Sequence, residues 1–195
     1  MAGRESSGVK RDGTFYGRSQ TIPTTYSDSD FLEGIESTWK HTDPDNPSSV
    51  LSQRTIRAFL MRNQITGTTV TKGLAVTHQD SYRGRRFDGY SSVLGEEIAG
   101  VIDDHLNSGG CRFGDLCWIQ TEGPCDCRFR GATTLAIGDL CISSTTSGKF
   151  DKWDGTGTTT ENTDGTMIKK LANVWGRAME AASAAATTVQ VDLQV

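Results

Sequence analysis

The clearest periodic signal along the chain lies at its C-terminal end. In "TTVQVDLQV", Val189, Val191, Leu193 and Val195 alternate with Gln190, Asp192 and Gln194, which predicts a strand with one buried and one wet face. Two shorter runs, "LCWI" at 116–119 and "LCI" at 140–142, are continuously apolar. They predict strands covered on both faces, with Cys117 and Cys141 as small core residues. "TGTTVTKGLAVT" reads as strand, turn at Lys72 and Gly73, then strand. Upstream the period changes. In "SSVLSQRTIRAFLMRNQ" (48–64), Ile56, Phe59 and Leu60 fall on one helical stripe behind Ser48 or Ser49 as a cap, which predicts a short helix. "SDSDFLEGIESTW" places Phe31, Ile35 and Trp39 at i, i+4 and i+8, which predicts a helical turn capped by Ser29 or Asp30.

Three stretches share one design: "VTKGLAVT" at 70–77, "CRFGDLCWI" at 111–119 and "LAIGDLCIS" at 135–143. Each is an apolar approach, a glycine and an apolar run. Gly73, Gly114 and Gly138 are placed to take the positive φ of a tight turn, which Asp115 or Asp139 can close by accepting backbone amides. "EIAGVIDD" and "NVWGRAMEA" each set a glycine, Gly100 or Gly176, inside an apolar strand, the mark of a bulge or sharp bend. Short strands joined by glycine turns predict a mainly β chain: a compact antiparallel β-barrel or sandwich over residues 65–195. The polar stretch "KFDKWDGTGTTTENTDGTMIKK" reads as a long loop within it. Residues 48–64 form the helix and linker. Residues 1–47 read as an extended N-terminal arm, since Pro44 and Pro47 deny both helix and central strand.

Charge narrows the partners. The chain of 195 residues carries a formal −4, which recommends neither nucleic acid nor an acidic membrane as a partner. Arg83, Arg85 and Arg86, interleaved with Tyr82, Phe87 and Tyr90, are expected to meet carboxylates of this or a neighbouring chain rather than phosphates. The first twenty residues hold Arg4, Lys10, Arg11 and Arg18 against Glu5 and Asp12, so four minus two leaves a local +2 suited to an acidic neighbour. No run approaches the roughly 18 apolar residues of a membrane span, and "MAGRESSGVKRDGTFYGRSQ" has no apolar signal core. Synthesis in the cytoplasm is the expectation.

Chemistry adds little. Five cysteines cannot all pair within one chain. C-x-C and C-x5-C spacings suit structural zinc poorly. Cys125 and Cys127, in a turn beside Gly123 and Pro124, are the expected exposed thiols and, with Cys111, the candidates for a late disulfide, free thiols being the default. His41, His78 and His105 belong to no nucleophile or metal motif. Asp28 and Asp30, Asp103 and Asp104, and Asp151, Asp154, Glu161 and Asp164 fit no calcium loop. The expectation is therefore a protein without cofactor, metal or catalytic residues.

The "LAIGDL" turn, the "TTSGKF" hairpin at 145–150 and the close "VWGRAMEAASAAATTVQVDLQV" at 174–195 resemble the C-terminal half of tailed-phage capsid decoration, or cement, proteins, over roughly residues 66–195. The resemblance implies a small β-barrel on the outer surface of the virion's capsid. Its partners would be the major capsid protein and further copies of itself, often as a trimer, with no nucleic acid or membrane involved. Arg4, Arg11, Arg18, Phe31, Ile35 and Trp39 are then the candidate capsid contacts, Trp39 foremost. Deletion of residues 1–47 is expected to leave a folded barrel that binds capsid weakly. The alternatives are a tail-associated or carbohydrate-binding module, with Trp153 or Tyr90 on the glycan, and an enzyme using a thiol or a carboxylate pair.

Overall fold

A computed structural model describes Arg18, residues 21–22, 32–46, 48–131, 133–153 and 173–195. Among these residues the chain is mainly β, with ten strands: β1 (Glu36–Thr42), β2 (Val50–Asn63), β3 (Ala75–His78), β4 (Arg86–Tyr90), β5 (Gly100–Ile102), β6 (Leu116–Arg128), β7 (Leu140–Ser143), β8 (Phe150–Lys152), β9 (Gly176–Ala178) and β10 (Thr188–Gln194). They form one sheet in the order β1-β2-β4-β3-β5-β6-β10-β9-β7-β8, and β2 also pairs β6. The pairings are antiparallel except β2 with β4. Of the antiparallel barrel with arm and helix that the sequence predicts, the structure shows this single ten-stranded sheet.

The short helix expected over 48–64 is absent: those residues are β2, the longest strand at 14 residues. The reason is a degeneracy of spacing. Residues four apart share a face in a helix and in a strand alike, so Ile56 and Leu60 cannot separate the two. Ala58, fully buried between them, completes a period-2 face. The strand wins because β1 and β6 flank it with complementary backbones. The helical turn expected around Phe31, Ile35 and Trp39 meets the same ambiguity. A single turn at Leu32–Gly34 gives way to β1, and Ile35 and Trp39 pack together against one core cluster. Phe31 lies outside the described residues.

Among the described residues three apolar clusters make the core. Met61, Val76, Phe87, Ile102, Cys117 and Ile119 form one. Ile22, Leu32, Ala58, Leu60, Leu116 and Trp118 form a second, and Cys125, Cys127, Phe129, Phe150, Trp175 and Val191 a third. β6 serves all three. Its first half sends Leu116 and Trp118 to one face and Cys117 and Ile119 to the other, as its apolar run predicts. Gly123 then turns the strand at φ 89°, where a Cβ would stand 2.4 Å from the Thr55 carbonyl oxygen. Gln120, fully buried, laces that bend by donating from Nε2 to the carbonyls of Gly123 at 3.1 Å and Pro124 at 2.7 Å. Gly73, Gly114 and Gly138 take the positive φ that their turns predict, at 80°, 86° and 88°. Along β10, Val189, Val191 and Leu193 are buried as their alternation requires.

The described part of the N-terminal region does not stand apart as an arm. β1 pairs with β2 along its whole length, and Ile22 exchanges backbone hydrogen bonds with Leu116 at 2.9 and 2.8 Å. β1, Ile22 and Leu32 lie against Ala58, Leu60 and Trp118, so deleting residues 1–47 would uncover an apolar face of the sheet.

Candidate functional site

The densest polar chemistry lies where the N-terminal segment meets the sheet. Asp103 and Asp104 follow β5 directly, and both are buried, as is Arg18. Arg18 donates from Nε to Asp103 Oδ2 at 2.9 Å, from Nη2 to Asp103 Oδ1 at 2.8 Å and from Nη2 to Asp104 Oδ1 at 3.2 Å. Its guanidinium carbon stands 5.2 Å from the centre of the Trp39 ring. Burial opposes the charge on Asp103, but Arg18 outweighs it and holds that carboxyl below its usual range. Burial and the charge of Asp103 together push Asp104 up to about 8. The pair thus carries close to one negative charge at neutral pH, matched by one arginine. Burial, and then the charge of Arg18, lower both His41 and His105. His105 Nε2 lies 3.2 Å from the Thr42 carbonyl oxygen, which fixes the end of β1.

Among the described residues, a second ionic cluster sets one acid among three arginines. Glu33, with its side chain fully buried, accepts from Arg62 Nε through Oε1 and from Arg86 Nε through Oε2 at 2.9 Å. Arg85 approaches Oε2 at 3.6 Å. Burial works against the Glu33 charge, and the hydrogen bonds from Arg86 and Arg62 overcome it, so this carboxyl lies low. Arg83 pairs with Glu97 at 2.6 Å. The arginine-rich loop therefore meets carboxylates of its own chain, one of the two options its sequence left open.

Of the candidate capsid contacts, Arg4, Arg11 and Phe31 lie outside the described residues. The structure brings Arg18, Ile35 and Trp39 together, but inside the chain. Trp39 is half-buried and meets Trp118 edge to face, with centroids 5.0 Å apart. The cysteines need a correction: Cys125, Cys127 and Cys111, the expected disulfide candidates, are fully buried free thiols, as are Cys117 and Cys141. Proximity to Cys111 and then burial raise the Cys117 thiol, and burial and then Cys127 raise Cys125. High thiol pKa values suppress the thiolate that both exchange and catalysis need. The turn at Gly123–Pro124 suggested exposure, but β10 covers this half of β6.

Sequence reasoning missed the role of Asp103 and Asp104, which it treated only as a cation site. The positive charge beside them is the guanidinium of Arg18. Glu33 gave no signal, because its three arginines come from 29 or more residues away. Among the described residues no three metal-ligating side chains converge. A cleft of about 390 Å³ is lined by His78, Glu97, Thr121, Asn173, Trp175 and Val195, among others. It holds neither aspartate of the buried pair. On the outside, Val50, Leu51 and Phe113 are each 51% exposed and Ile137 is 72% exposed. The last two stand immediately before Gly114 and Gly138, at the same place in two of the repeated turns.

No protein-family model matches the chain, and no curated protein matches it. Among solved structures, it is similar to the head fiber gp8.5 N base of bacteriophage phi29, with 14% sequence identity, 71% of this chain and 94% of that chain covered, and a TM-score of 0.40.

Proposed function

We propose that this protein is a structural component of a phage virion that binds the outer surface of the assembled capsid and braces contacts between capsomers, as decoration proteins do. The observation that carries the reading is a division of chemistry between inside and outside. The thiols and the acid pair are buried and mutually engaged, whereas large apolar side chains, Phe113 and Ile137, are displayed on short turns anchored to the sheet. Turns of fixed geometry with exposed apolar tips suit docking on another protein. The glycine-turn repeats and the C-terminal close, which resemble decoration proteins, point the same way. In this reading the ring of pairings β2-β4-β3-β5-β6 is the small barrel. Phe113, Ile137, Val50 and Leu51 join Arg4 and Arg11 as capsid contacts, and Arg18 and Trp39 hold the base of the N-terminal segment.

The mechanism is linkage. A protein that binds the assembled lattice and not its free subunits stabilises the lattice by its binding free energy, multiplied over many copies. Copies joined as a trimer add avidity through a high effective concentration. Mass spectrometry of purified particles tests the reading: this chain is expected at a fixed ratio near one copy per major shell subunit. A few copies per particle would move it to the tail, and absence from particles would overturn it.

A further inference from the structure

The cleft beside β2 brings unused hydrogen-bonding groups of both senses to an apolar floor. It measures about 390 Å³ and lies where two of the apolar clusters meet, with Phe59, Met61 and Ala99 from one and Ile98 and Trp175 from the other. That volume is in the range of small-ligand sites. His78, at the end of β3, lines the cleft and accepts the Gly84 backbone amide on Nδ1 at 3.3 Å. Nδ1 therefore carries no proton, and Nε2 is the donor of the neutral ring. Burial, and then the charge of Arg83, lower His78 and keep it in that form. Asn173 donates from Nδ2 to the Gly95 carbonyl at 2.7 Å, which leaves its Oδ1 as an acceptor with no partner among the described residues. Trp175 is 2% exposed, and its Nε1 has no partner among those residues either. Of the side chains with such an orphaned buried atom, it alone lines the cleft.

We propose that this cleft binds a neutral N-acetylated amino sugar through its acetamido group. Such a group carries one N–H, one carbonyl oxygen and one methyl. His78 Nε2 donates to the carbonyl oxygen, Asn173 Oδ1 accepts the N–H, and the floor of Phe59, Met61 and Ile98 receives the methyl. A sugar without the acetamido group leaves both polar side chains unpaired, which is what makes the site selective. Ring hydroxyls donate and accept at once. They suit Gln194 and Thr121 in the same wall, since Thr121 Oγ1 donates to the Arg57 carbonyl at 3.4 Å and keeps its lone pairs. Charge sets the rest. Among the described residues no lysine or arginine lines the cleft, and the Glu97 carboxylate does. A phosphate or a sugar acid would find a like charge and no counter-ion in the wall. Tyr90 and Trp153, which the sequence offered to a glycan, do not line the cleft. The site belongs to the chain alone and does not rest on the capsid reading.

Saturation-transfer NMR on the full chain tests the site, with N-acetylglucosamine and N-acetylgalactosamine as probes and glucose and galactose as controls. Transfer is expected to be strongest at the acetyl methyl of the probes. The plain hexoses are expected to bind at least about tenfold more weakly, because they leave the site's polar groups unpaired. His78→Phe and Asn173→Ala are each expected to weaken the probes about tenfold. The His78 ring resonances of the wild type decide independently of any variant's folding, and they are expected to shift as probe is added. No transfer to either probe up to about 10 mM, where a site with a Kd of about 1 mM is nearly filled, would overturn the proposal. So would equal binding of glucose, or bound probe that leaves His78 unmoved. An N-acetylated amino-acid amide binding as tightly as the sugars would overturn the sugar assignment and make the cleft a peptide site.

Discussion

Two buried ionic clusters hold the N-terminal third against the sheet, and they are built in opposite senses. At Asp103 and Asp104 two acids share one arginine, whereas at Glu33 one acid collects Arg62, Arg86 and, more distantly, Arg85. An excess of buried acid stores a proton, and an excess of base secures a charge. Relative to the unfolded chain, the raised Asp104 loses its contribution as pH rises toward about 8, while the lowered Asp103 and Glu33 lose theirs as pH falls into the carboxylate range. The difference comes from the charges that the described residues place in each pocket.

The largest expected effect breaks the base-rich cluster. Glu33→Ala removes the buried carboxylate that accepts from both Arg62 and Arg86, at a cost of about 3–5 kcal/mol in a urea titration. Arg18→Ala should fall at the lower end of that range, because an abandoned Asp103 can take up a proton. Equal losses would show that the two clusters are not distinguished by charge count.

The bend of β6 offers the next contrast. Gly123→Ala forces a Cβ to 2.4 Å from the Thr55 carbonyl at positive φ and should cost about 3 kcal/mol. Gly138→Ala has the same φ region with no atom within 4 Å and should cost about 1 kcal/mol.

Acid sharpens the comparison of clusters. Glu33 is held low, so its contribution is present above its unfolded value and is lost as pH falls through the folded one. The wild type should lose stability below about pH 4.5, an order-of-magnitude limit set by ordinary carboxylates. Glu33→Gln, though weaker throughout, should show a shallower acid slope in denaturant midpoints measured across that range.

Phe113→Ser and Ile137→Ser are expected to change stability by less than about 0.5 kcal/mol, as exposed positions do. Binding of these variants to purified capsid shells should nevertheless drop, and undiminished binding would remove the turn tips from the interface.

The parts legible in the sequence were those written in adjacent letters. Alternation marked β10, continuous apolar runs marked the cores of β6 and β7, and glycines marked the turns at Gly73, Gly114 and Gly138, since period and positive φ are local properties. The segment 48–64 misled because Ile56 and Leu60, four apart, satisfy both periods, and only β1 and β6 on either side select the strand. The turn chemistry of Gly123 and Pro124 predicted exposure for Cys125 and Cys127, and β10 lying across them decided otherwise.

The sequence alone therefore determined that the chain is β, where it turns, and which side chains of β10 face inward. Only the tertiary structure decided which charges meet. Arg18 reaches Asp103 across 85 residues and Arg86 reaches Glu33 across 53. No period or motif encodes such a pair, because its energy depends on what else is buried beside it. The burial that gives Asp104 its proton is likewise a property of the assembled sheet, absent from the two-letter word "DD".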